Sequence, residues 1–81
     1  MNDTLVVDRE AIHLRRHATK LMKEAHEKGY QTLDVSNVEF VSRSVADELV
    51  HLSDQFDIQL NGLRGDVASM INIVSEQLAA A

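Results

Sequence analysis

The stretch Leu33-Asp34-Val35-Ser36-Asn37-Val38-Glu39-Phe40-Val41-Ser42-Arg43-Ser44-Val45-Ala46-Asp47-Glu48-Leu49 changes period partway along, and that change constrains the fold more than any other feature of the chain. Leu33 and Val35 alternate with Thr32, Asp34 and Ser36, the period of a strand with one buried face. A turn with two hydroxyls and an arginine follows. Beyond it Val45, Leu49, Leu52 and Phe56 recur at three- and four-residue steps, the apolar stripe of a helix from about Val45 to Gln55. A strand feeding a helix is the unit of α/β folds, which meet ligands and partners at the strands' C-terminal edge.

The unit recurs on either side. Thr4 to Val7 is a short β-branched apolar run. Asp8 after it is of the type that caps a helix start, and Val7 and Ile12 stand at hydrophobic-staple positions. Ala11, Leu14, Ala18, Leu21, Met22 and Ala25 then predict a first helix, ended by Gly29, with His26 and Lys28 in its last turn. Asp57 to Leu63 alternates again, Ile58 and Leu60 against Gln59 and Asn61. Val67, Met70, Ile71, Val74 and Leu78 form the stripe of a third helix, from about Val67 to Leu78.

The order βαβαβα predicts a small, largely parallel sheet with right-handed crossovers. Parallel strands covered on both faces read as continuous apolar runs, whereas the second and third strands here alternate. The helices are therefore expected mainly on one face. The other face is left for solvent, an extra strand or a second copy, and a homodimer across that face or a sheet edge is expected.

A chain of 81 residues is one domain, 1–81, that buries roughly 60% of its unfolded surface. It contains no cysteine, which removes disulfides and thiolate chemistry and fits a reducing, cytoplasmic setting. No apolar run approaches the ~20 residues of a membrane span, and no signal-peptide pattern opens the chain. The net charge of −5 disfavours a nucleic-acid partner. Arg9, Arg15, Arg16, Lys20, Lys23 and Lys28 are interleaved with Glu10, Glu24 and Glu27, the mixture of a solvated helix face. Tyr30, Phe40 and Phe56 are too few for a base-stacking platform.

Ser44 reads in three ways: a helix cap with Asp47 three residues on, a phosphoacceptor, or an unmodified partner contact. Ser42 is the second candidate hydroxyl. Arg43 between them could fork onto a carboxylate or phosphate. Asn61-Gly62-Leu63-Arg64-Gly65-Asp66 joins the third strand to its helix. It reads as a turn capped by Asp66, or as a weak nucleotide-binding loop without a Walker lysine or G-x-G-x-x-G pattern. The predicted fold puts this loop at the same sheet edge as Ser42 to Ser44, so Ser42, Arg43, Ser44, Asp47, Asn61 and Arg64 form the expected contact surface. His13 and His17 have the spacing of one helix face but no third metal ligand, so no metal site is expected. Asp34 is an exposed carboxylate or a partner for a neighbouring loop. Asp47 and Glu48 point apart, so no acid–base pair and no cofactor or catalytic site is expected.

The strand Leu33 to Val38, with its serine-bearing turn and helix, resembles the core of the STAS domain found in anti-sigma-factor antagonists and at the tails of sulfate transporters. Phe40 to Leu49 and the helix Met70-Ile71-Asn72-Ile73-Val74 more closely resemble a STAS-like family of undefined function. The likeness runs from about Val6 to Leu78. It implies helices on one side of a sheet and a binding module, not an enzyme. In the antagonist branch it also implies a serine phosphorylated by a partner histidine-kinase-like ATPase, the anti-sigma factor, and Ser44 matches that serine. Ser42 stands where that branch has an acidic residue, and Val45-Ala46 replaces its glycine-led continuation. The resemblance equally allows an accessory subunit of a transporter complex.

Overall fold

In the computed structural model, which describes residues 3–80 and the side chains of 3–77, three short strands run parallel in one sheet: β1 (Thr4–Val6), β3 (Thr32–Asp34) and β5 (Gln59–Asn61). Between them lie β2 (Ala11–Ile12), α1 (Arg15–Glu27), β4 (Phe40–Val41) and α2 (Arg43–Phe56), and α3 (Gly65–Ala80) closes the chain. The order in space is β1-β3-β5. The sheet thus advances in one direction, and right-handed crossovers of that kind put successive helices on one face.

The register explains the alternation. Leu5, Leu33 and Leu60 stand side by side across the three strands. Leu33 is fully buried and the other two pack against the core with Val45, Leu49, Met22, Ile71 and Val74. The neighbouring rows, Thr4-Thr32-Gln59 and Val6-Asp34-Asn61, belong to the opposite face. There Val6, Gln59 and Asn61 are exposed. Among the described residues no strand pairs with the outer edges of β1 or β5.

Two expected elements are redrawn. The first helix starts at Arg15, not after Asp8, and Leu14 is its N-cap without a side-chain hydrogen bond. Residues 10–12 are committed elsewhere: the Glu10 carbonyl accepts the Glu39 amide at 2.7 Å, and the Ile12 carbonyl accepts the Ser42 amide at 3.2 Å. Ala11 and Ile12 therefore form a parallel ladder with Phe40 and Val41, and Val7 and Ile12 are buried core residues instead of a staple.

The second strand stops at Asp34, not Val38. The Asp34 carboxylate accepts the Ser36 amide at 2.9 Å, an Asx turn that bends the chain, and Val38 donates back to the Val35 carbonyl at 2.9 Å. The apolar run then resumes as β4.

Helix ends follow local chemistry. Gly29 takes a φ of 78°, and Tyr30 donates to the Ala25 carbonyl at 2.9 Å, which stops α1 as expected. Asp57 is the left-handed cap of α2, with φ 57°. Asp66 lies inside the first turn of α3 instead of capping it, and the helical backbone runs on to Ala80. Leu78, expected on the α3 stripe, lies outside the residues whose side chains are described.

Candidate functional site

The β2–β4 ladder lies between the C-terminal ends of β1 and β3 and the starts of α1 and α2, the edge at which open α/β sheets meet their ligands. Its inner residues, Ile12 and Val41, are buried. Its outer row pairs Ala11 with Phe40, which is 43% exposed. The His13 ring packs against Phe40, with centroids 5.3 Å apart. An exposed aromatic held by a second ring is the type of side chain that anchors protein interfaces.

Ser42 follows directly. It, and not Ser44, is the N-cap of α2: its Oγ accepts the Val45 amide at 3.3 Å and donates to the His13 carbonyl at 3.0 Å. The reason is the ladder, which holds residue 42 extended through its amide bond to Ile12 and lets the helix begin two residues earlier than expected. Ser44 is left exposed in the first turn, its Oγ 3.3 Å from Ser42 Oγ. No acidic residue occupies that turn.

Arg43 is half exposed. It donates from Nη2 to Gln77 Oε1 on α3, and its Nε is 3.8 Å from Asp47 Oδ1. Ser42, Arg43, Ser44 and Asp47 thus share one end of α2, as expected. Asn61 and Arg64 do not join them. Gly62 packs so closely that a Cβ there would sit 2.7 Å from Ser36 Cβ and 2.8 Å from Asp34 Oδ1, and Val35 donates to the Asn61 carbonyl at 2.9 Å. This fastens the Asn61–Asp66 loop to the β3 turn. Arg64 lines a shallow cleft of about 370 Å³ with Val38, Glu39, Gly65 and Asp66, where a phosphate would face two carboxylates. Gln77, beside Arg43, lies about 16 Å along α3 from Asp66 at 1.5 Å per residue. The two loops share a sheet edge but not one patch.

The Asp34 carboxyl is held below its ordinary value by the Ser36 amide and then by the Ser36 hydroxyl, so it serves its own turn. His13 and His17 do not share a helix face: His13 precedes α1 and packs on Phe40, while His17 Nδ1 is 3.5 Å from Arg9 Nη1. Among the described residues no group of three His, Cys, Asp or Glu side chains is placed to hold a metal ion.

Two features escaped sequence reasoning. Phe40 enters the sequence reading only in the aromatic count and in the family likeness, and its place on an outward-facing row comes from a strand too short to show a period. Glu48, one of the two acids expected to point apart, is 9% exposed and lies between α1 and α2. Thr19 donates to its Oε2, and Arg15 Nε and Nη2 each reach Oε1 at 3.1 Å. The Thr19 hydroxyl, and after it Arg15, hold the Glu48 carboxyl below its ordinary value against the opposing effect of burial.

Comparisons with family models, curated proteins and solved structures found no match to this chain. No helix of the described residues is long and apolar enough to cross a membrane.

Proposed function

We propose that this chain is a non-enzymatic, STAS-like interaction module of the partner-switching kind, working in the cytoplasm. It docks through the outer row of β2–β4 and the first turn of α2. Phe40 is the apolar anchor, Arg43 a polar contact at the rim, and Ser44 the switch. The partner is a histidine-kinase-like ATPase of the anti-sigma-factor type. It transfers the γ-phosphoryl group of ATP to Ser44 Oγ, with ADP released and the hydroxyl proton passed to a base of the partner. The phosphate then sits in the docking surface and weakens the complex by charge and by desolvation cost.

One observation carries this reading: the exposed Ser44 hydroxyl lies 3.3 Å from that of Ser42, which is bonded to the carbonyl of His13, the residue whose ring packs on the exposed Phe40. Ser42 has both its donor and its acceptor role engaged, which leaves Ser44 as the available hydroxyl.

The test is retention of a partner from source-cell extract by the immobilised chain. Retention should be lost on Phe40→Ala and on phosphorylation of Ser44, and kept on Ser44→Ala. A partner retained equally by all four forms contradicts the switch and favours constitutive association, as in an accessory subunit of a transporter complex.

A further inference from the structure

Ser44 and Glu48 stand at i and i+4 on α2 and share a face of the helix. Helical side chains lean toward the N-terminus, so the Glu48 carboxylate covers the turn that carries Ser44. Arg15 reaches that carboxylate from the first residue of α1, spending two nitrogens on the single oxygen Oε1. A guanidinium carries five N–H groups, and the Arg15 side chain is 60% exposed, so donors are left over. The starts of the two helices are tied by the Ser42 hydroxyl on the His13 carbonyl, two residues before Arg15.

We infer that Arg15 is the counter-ion of a phosphate on Ser44, and that it exchanges its Glu48 contact for that phosphate. The inference rests on Ser44 being the phosphoacceptor. Arg43 is adjacent in sequence to Ser44, so their side chains diverge around the helix. It is also engaged by Gln77 and Asp47. Asp47 opposes the phosphate from the next turn, and His51 acts on Glu48 from the far side. Arg16 follows Arg15 directly, and His13 lies two residues before it. A phosphate that draws Arg15 away leaves Glu48 with Thr19 as its one hydrogen-bond donor among the described residues, so modification loosens the contact between α1 and α2 as well as charging the docking surface.

The test uses the full chain with phosphoserine installed at position 44 by synthesis, and follows the phosphate by ³¹P NMR during a pH titration. The second phosphate pKa should lie about half a unit below that in the same chain carrying Arg15→Gln, the size of effect a half-exposed ion pair gives. Arg15→Lys should fall between the two. In the otherwise unsubstituted phosphorylated chain, the Arg15 side-chain Nε–H resonance should titrate with the phosphate and that of Arg43 should not. Equal phosphate pKa values with and without Arg15, or an Arg43 resonance that titrates while Arg15 stays still, overturn the inference. Because the phosphate is installed chemically, failure to find a kinase for Ser44 counts against the phosphoacceptor reading alone.

Discussion

The Ser42 hydroxyl donates to the carbonyl of His13 at 3.0 Å while its oxygen accepts the amide of Val45. One side chain thus caps α2 and ties it to the segment leading into α1. Ser44, two residues on, holds neither role. Ser42→Ala should therefore cost about 1–2 kcal/mol, the range for a lost N-cap, and Ser44→Ala less than about 0.5 kcal/mol. Chemical denaturation of the two variants measures both, and equal losses would contradict the assignment of the cap.

Gly62 and Gly29 share a φ of 78° but not a setting. A Cβ at Gly29 meets open space, whereas one at Gly62 collides with Ser36 and Asp34. Gly29→Ala should cost about 1 kcal/mol, the strain of a left-handed alanine. Gly62→Ala should cost more than about 2 kcal/mol, because the loop must also move off the β3 turn. Thermal or denaturant unfolding separates them, and equal costs would show that the Asn61–Asp66 loop is not fastened as described.

Glu48 sets a pH dependence. Its folded pKa lies below the ordinary value of 4.5, held there first by Thr19 and then by Arg15. A carboxylate of this kind contributes stability that is complete above its unfolded pKa and is lost as pH falls through the folded one. Unfolding free energy should thus fall as pH drops through and below the ordinary carboxylate range, and less steeply in Glu48→Gln. Some slope should survive in that variant, because Asp34 is also held low by Ser36. A variant with the same slope as the parent would show that Glu48 is not the group responsible.

What was legible in the sequence was set by periodicity. Leu33, Val45, Leu49 and Val74 lie buried where two-residue and three-to-four-residue spacings put them, and alternation in β3 and β5 announced a sheet with one open face. The β2–β4 ladder was hidden, because two-residue strands are too short to show a period and Ala11 fits a helical stripe equally well. That ladder moved the start of α1 and shifted the cap from Ser44 to Ser42, while the Asx turn of Asp34 cut the second strand. The Glu48 cluster was hidden for another reason: burial of a carboxylate depends on Arg15 and Thr19 arriving from a different helix, which no local pattern encodes.

In the proposed function Ser44, and not Ser42, is the hydroxyl a partner kinase modifies. Incubating the chain with ATP and extract of its source cells, then mapping phosphate by peptide mass spectrometry, tests it most directly. Phosphate should be found on Ser44, abolished by Ser44→Ala and retained in Arg43→Gln. Phosphate on Ser42, or none on either serine, would contradict it.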